Sequence, residues 1–322
     1  MRLRKTPRRR TYSQRARTLT GPRVAMAIVL VGIAYWTLQA APANDTRPPA
    51  QPTRVALGTQ VVVSTPTVAA AAGISTTVSA TLRLPLEGRR IGIDPGHGPR
   101  EDLGAVLVDQ DTGKLVLSEA EFNLDVALRC RDILVARGAS VVLTRETADT
   151  FTIPWPADTN GDGTVGTTGD DLQARVDILN DSRVDVFLSI HANASKPGRT
   201  RGGEIQVLYC GTGDCTFPAE NKALGQVVLD RLEAGLAGVG YEIEGGELAT
   251  DLDKDSSDPP EHLFILGPTN PPRHIRAIGM PGVLSESLYI TSPTQAAQLK
   301  KDNVRQAIAL AYADALQTYL TR

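Results

Sequence analysis

From Arg90 onward, short apolar runs alternate with longer stretches of helical period, and this alternation admits little besides a layered α/β domain. The runs predicted as strands are Ile91 to Asp94, Ser140 to Thr144, Val184 to Ile190, Glu204 to Tyr209 and Gly282 to Ser285. Helical period marks Ser118 to Gly138, Asp171 to Asp181, Ala219 to Leu236 and Pro293 to Leu320. The expected architecture is one open, twisted, mostly parallel sheet with helices on both faces. No internal repeat suggests a solenoid.

The first helix begins with Ser118-Glu119-Ala120-Glu121, the pattern of a capping box. Ser118 and Glu121 would satisfy each other's backbone N–H groups, which leaves Glu119 for other work.

Charge divides the chain in two. Lys and Arg number 34 against 36 Asp and Glu, a net of -2. Residues 1 to 23 hold nine of the basic side chains and no acid, so residues 44 to 322 carry -11. An acidic folded part argues against a nucleic-acid partner, and 41% hydrophobic residues are enough to build a core. After the basic block, Val24 to Ala41 runs 18 residues without a charge, close to the length of a bilayer-crossing helix. By the positive-inside tendency the N-terminus stays in the cytoplasm and the remainder is exported, giving a single-pass anchor in the cytoplasmic membrane. The alternative is a signal peptide cleaved near Ala41-Pro42-Ala43 and a secreted product. Residues 42 to 87, rich in Pro, Ala, Thr and Val, read as an extracytoplasmic linker to a domain spanning 88 to 322.

Of three cysteines, Cys210 and Cys215 bracket a glycine-containing step that suits a local disulfide in an oxidising compartment, while Cys130 lies in an apolar helix as a buried thiol. Metal binding is the other reading of C-x4-C, but no second Cys pair or neighbouring His in the sequence supports it.

Two of the four histidines follow apolar strands directly: His97 in the loop DPGHG, and His191 at the end of VDVFLSIH. Ligands gather beyond the carboxyl ends of parallel strands, so these imidazoles can meet. Glu286, ending GVLSE, arrives at the same edge, and Glu119 lies in the first turn of the first helix. Two imidazoles and a carboxylate can hold zinc with one position open for water. Taken singly, each is more often a structural or surface residue. Gly96 and Gly98 around His97 would let the backbone turn sharply. His262 and His274 follow no strand and read as surface residues.

The runs IGIDPGHG, SEAEFNLDVAL, VVLTR, LQARVDILN, VDVFLSIHANAS, RGGEIQVL and MPGVLSES together resemble, in order over about residues 90 to 320, the zinc-dependent N-acetylmuramoyl-L-alanine amidases of the amidase-3 type. The resemblance implies His97, Glu119 and His191 as zinc ligands, Glu286 as the catalytic acid/base, and peptidoglycan as substrate. It implies hydrolysis of the amide between N-acetylmuramic acid and L-alanine. The match loosens after Glu286, where Ser287 to Pro293 replaces the usual glycine-phenylalanine stretch, and Tyr241 to Arg276 has no family counterpart. Two other functions compete: a non-catalytic peptidoglycan-binding module of the same fold, and a zinc carboxypeptidase acting on the stem peptide. No activator protein is named by the sequence. Arg145 and Arg175 sit near the expected cleft, either to bind substrate carboxylates or to form structural ion pairs.

A second metal is suggested by Asp158, Asn160, Asp162 and Thr164 at alternate positions around Gly163, the front half of an EF-hand-type calcium loop, with Asp170 as the closing donor. The alternative is a polar turn that binds nothing.

Overall fold

The computed structural model describes residues 83–98, 102–148, 157–195, 204–254, 259–271 and 274–322. The proposed anchor at 24–41 and nearly all of the proposed linker lie outside them. No described helix is long and apolar enough to cross a membrane. The packed domain starts earlier than residue 88. Leu86 is fully buried, and its backbone N–H donates to the Arg137 carbonyl.

The main sheet has six strands in the order β4-β1-β5-β8-β6-β7. These are β1 (Arg90–Pro95), β4 (Ser140–Leu143), β5 (Val186–Asn193), β6 (Ile205–Tyr209), β7 (Gly246–Thr250) and β8 (Gly282–Tyr289). Strands β4, β1, β5 and β8 run parallel, β6 is antiparallel to β8, and β7 is parallel to β6. A separate antiparallel pair joins β2 (Val106–Val108) to β3 (Leu115–Ser118).

The helices are α1 (Glu119–Ala136), α2 (Thr168–Asp181), α3 (Pro218–Gly238), the short α4 (Asp251–Lys254), α5 (Pro293–Leu299) and α6 (Asp302–Leu320). The strand period of two sends Val186, Leu188 and Ile190 into a core with Phe122 and Val126 of α1, Leu224 and Val228 of α3, and Ile308 and Tyr312 of α6. Phe187 points the other way, to Val176 and Leu179 of α2 and to Ile265. Burying each such Leu, Ile, Val or Phe stabilises the fold by about 1.5–3 kcal/mol. Phe187 lies over Gly282 so closely that a Cβ there would stand 1.8 Å from its ring.

Several elements differ from the sequence expectation. The helix predicted over Pro293 to Leu320 is two: extended backbone at Lys301 (φ -81°, ψ 131°) turns the chain, and Arg305 Nε donates to the freed Leu299 carbonyl at 2.7 Å. Ala296 and Leu299 of the first piece and Val304 and Ile308 of the second thereby reach one core. Strand β7 was not predicted, because it gains its pairing only from β6. Finally, β5 and β8 run past their expected ends, so His191 and Glu286 lie within strands and pair in register.

Candidate metal centre

Three elements bring the donors together. His97 follows β1, Glu119 opens α1, and His191 sits on β5; one ligand atom from each lies within 4.8 Å of the others. His97 Nε2 is 3.2 Å from Glu119 Oε2, and His191 Nδ1 is 3.0 Å from Glu119 Oε1. The carboxylate is aimed by backbone donors, Ala105 N–H to Oε2 at 2.9 Å and Ala192 N–H to Oε1 at 3.3 Å. Ser118 caps α1 by accepting from Glu121 N–H at 3.3 Å, so half of the expected box is in place, and Glu119 is free to turn inward.

Space at the centre is tight. A Cβ on Gly96 would stand 2.1 Å from the His191 ring, and one on Gly104 would stand 2.6 Å from both Glu119 Oε2 and His97 Cδ2. Gly96 therefore supplies clearance rather than the sharp turn expected of it. The left-handed conformation falls on His97 itself (φ 59°), a strain of about 1–2 kcal/mol that its neighbours must offset.

Two arginines hold that loop. Arg145 donates to the carbonyls of Pro95, Gly96, His97 and Ala120 at 2.8–3.0 Å. Arg175 donates to Pro95 and His97 carbonyls and pairs with Asp94 and Asp171 at 2.8 and 2.7 Å. Arg175 thus takes the ion-pair role, while Arg145 spends itself on backbone oxygens. Asp94 also accepts from Thr144 and Ser189 hydroxyls, both at 2.6 Å. Burial opposes its charge, but Arg175 and these hydroxyls outweigh that and hold its pKa at about 2.

The electrostatics suit a cation. Burial disfavours a charged His97, yet hydrogen bonds to Asp102 (2.9 Å, at Nδ1) and Glu119 push its pKa up to about 10. Burial likewise opposes ionised Glu119, and its contacts with His191 and His97 nevertheless lower it. Two imidazoles and a carboxylate, with a further carboxylate behind one imidazole, are a donor set and outer support that could hold a divalent metal.

Glu286 lies directly opposite His191 across the β5–β8 pairing. Its Oε2 is shut off from solvent and has no hydrogen-bond partner. Burial pushes its carboxyl up to about 7, with His191 pulling down and Glu119 pushing up. Such a group is poised to exchange protons near neutral pH. A cleft of about 210 Å³ reaches His97 and His191, and Leu263, Phe264 and Ile265 line it. Part of the Tyr241 to Arg276 region is therefore a wall of the cleft.

Other expectations need correction. Nothing among the described residues supports the calcium reading of Asp158, Asn160, Asp162, Thr164 and Asp170: Asp158, Asp162 and Asp170 form no trio of carboxylates within 4.8 Å. Asp170 instead completes a capping box with Thr167 at the start of α2, and accepts from the backbone of Thr159 and Asn160. The oxygens of Asp158, Asn160 and Asp162 accept N–H groups within the loop, as in a polar turn. His274 is not a surface residue but is 3% exposed and stacks on Phe264. His262 is also largely covered, with Nδ1 donating to buried Asp251 at 3.0 Å. Asp102 escaped the sequence reading, since nothing in its local pattern points to His97.

Comparison with known proteins agrees with this geometry. The family model described as N-acetylmuramoyl-L-alanine amidase, Amidase_3, matches residues 91–318. N-acetylmuramoyl-L-alanine amidase LytC of Bacillus subtilis is 33% identical over 242 residues, which cover 73% of this chain and 37% of that protein. The chain thus spans little more than a third of LytC. The germination-specific N-acetylmuramoyl-L-alanine amidase of the same species is 30% identical over 244 residues, 74% of this chain and 82% of the relative. Among solved structures, N-acetylmuramoyl-L-alanine amidase AmiC2 of Nostoc punctiforme superposes with a TM-score of 0.50 at 25% identity, covering 73% of this chain and 98% of that one. With motif order, donor geometry and family match in agreement, the chain belongs to the amidase-3 family of N-acetylmuramoyl-L-alanine amidases.

Proposed function

We propose that this protein hydrolyses the amide bond between the lactyl group of N-acetylmuramic acid and L-alanine in peptidoglycan, with zinc held by His97, Glu119 and His191. The reading rests on Glu286, a sequestered carboxyl with an unpartnered oxygen, in register beside a metal-type donor trio. Zinc bound there would supply the Lewis acidity that makes water a nucleophile near neutral pH and polarises the scissile carbonyl. Glu286 takes the proton of the attacking water and returns it to the departing amine. The β5–β8 pairing fixes its position, Ala105 and Ala192 N–H groups orient Glu119, and the two arginines keep the His97 loop in place. A pure binding module would have no need of a buried, unpartnered carboxyl oxygen beside the donor trio.

The decisive experiment digests purified muropeptides and analyses the products by mass. Wild type is expected to release intact stem peptides from uncut glycan, and Glu286→Gln to lose activity by about 10²-fold or more while still binding zinc. Full activity in Glu286→Gln, or cleavage within the stem peptide, would overturn the assignment.

Peptidoglycan lies outside the cytoplasmic membrane, and two features support an exported domain. One is the basic lead-in followed by an uncharged segment; the other is the Cys210–Cys215 disulfide. In this reading residues 24–41 tether the domain, and recovery of the intact chain from medium rather than membranes would exclude it.

A further inference from the structure

Like Glu286 Oε2, Asn193 Nδ2 is a buried polar atom with no hydrogen-bond partner among the described residues. Asn193 ends β5, two positions after His191, and is 8% exposed. A strand period of two puts it on the His191 face, about 6.6 Å further towards the carboxyl edge of the sheet. A bulge shapes its surroundings. His191 pairs with Glu286 and Ala192 with Ser287, but the register then slips so that Asn193 pairs with Tyr289. Leu288 goes into the core. Tyr289 stays on the Glu286 face, where Gln206, the β6 partner of Glu286, donates to its hydroxyl at 3.3 Å. Burial raises the Tyr289 pKa, Glu286 adds to the rise and the Asn193 amide opposes it, so the phenol stands near both. Asn193 therefore shares one polar face with His191 and Glu286.

The amide can offer only a donor. Its Oδ1 accepts from Ala194 N–H at 2.8 Å, and turning the amide over would set two donors against each other. The backbone beneath it is pinned as well. Ile290 N–H donates to the Asn193 carbonyl at 2.8 Å, and Ser195 N–H donates to Thr291 Oγ1 at 2.9 Å. A buried N–H without an acceptor is costly, and it is retained where function uses it.

We propose that Asn193 Nδ2 donates a hydrogen bond to the carbonyl oxygen of the L-alanyl residue and so holds the leaving group of the substrate, an inference that rests on the amidase reading above. In that reading the scissile carbonyl is polarised at the metal and Glu286 serves the departing amine. The alanyl carbonyl is the next acceptor along the leaving group, one residue on, and a residue spans about 3.3–3.6 Å. Ligands of parallel sheets lie at the carboxyl edge, so a stem peptide running out that way brings this oxygen past Glu286 to Asn193. A donor at that point favours amides followed by a peptide carbonyl over simple amides.

The test uses the full chain carrying Glu286→Gln and loaded with zinc, so that ligands bind without being cut, and reads affinity by titration calorimetry. The probes are N-acetylmuramoyl-L-alanine methylamide and N-acetylmuramoyl isopropylamide, in which a methyl group stands where the first has its alanyl carbonyl. Asn193→Ala is expected to weaken the first probe by about 3–10-fold and the second by less than twofold. Asn193→Asp, of the same shape but without the donor, should weaken the first at least as much. Both variants should hold zinc within twofold of the parent; a loss of zinc affinity as large as the loss of ligand would mark Asn193 as merely structural and overturn the proposal. Equal losses for the two probes, or undiminished affinity for the first in both variants, would also overturn it. So would a Tyr289→Phe variant that reproduces the Asn193→Ala pattern, since the amide would then serve the phenol. Binding is read without turnover: muropeptides left uncut by the wild type would sink the amidase reading, whereas these outcomes decide the Asn193 contact alone.

Discussion

Replacing Asp102 by Asn separates the support of the metal centre from the stability of the fold. Asp102 Oδ1 accepts from His97 Nδ1 at 2.9 Å and from Gly104 N–H at 3.3 Å, and the side chain is 49% exposed. With Nδ1 engaged there, His97 turns Nε2 towards Glu119 and the metal position. Asparagine keeps an acceptor in place but removes the charge, whereas alanine removes both. Loss of such an outer support weakens metal binding by about 10–100-fold, or about 1.4–2.8 kcal/mol. Half exposure screens the charge, which places Asp102→Asn near tenfold and Asp102→Ala nearer the upper end. The cost to metal-free folding should stay under about 1 kcal/mol, since an exposed pair of this kind contributes little. Competition with a chromophoric zinc chelator measures the affinity, and urea unfolding of the stripped protein measures the stability. Zinc affinity within twofold of wild type in both variants would refute this role. So would a stability loss as large as the loss in affinity, which would mark Asp102 as merely structural.

Asp94→Asn should destabilise the protein at pH 7 by about 1.5–3 kcal/mol, because it removes one of the two carboxylates paired with the buried Arg175 guanidinium and leaves Asp171 as the other; denaturant unfolding measures this. In wild type the depressed Asp94 pKa contributes about 2 kcal/mol that is fully present above about pH 4 and fades as pH falls towards 2. This part of the acid slope should be missing in the variant. Gly104→Ala places a Cβ against Glu119 and His97 at φ 63°, and should lower zinc affinity at least tenfold by equilibrium dialysis. Asp170→Ala removes one side of the α2 capping box and should cost about 1–2 kcal/mol equally with and without calcium in a thermal melt. A calcium-dependent difference would revive the metal-loop reading.

The two histidines were legible because each follows an apolar strand, and parallel strands deliver their carboxyl ends to one edge. The arginines were visible as residues near the cleft, but their role was not. Whether a guanidinium reaches a substrate or the carbonyls of Pro95 and His97 depends on how α2 and β4 pack against β1. For Asp170 the pattern is ambiguous because alternating Asp and Asn serve both calcium loops and backbone turns, and only the start of α2 shows which N–H groups need an acceptor. His262 was misjudged because Asp251 and the two cysteines lie 11 and about 50 residues away.

The sequence by itself determined the layered α/β class, the main strands and the family, and it singled out the four residues proposed as the catalytic centre, since local period and motif order carry that information. Tertiary structure alone decided that His191 and Glu286 share a register and that Asp102 and the arginines hold the His97 loop. It also brought His262 to the disulfide. Each of these depends on which segments pack together, and burial, which selects that packing, sums over the whole chain rather than over any one motif.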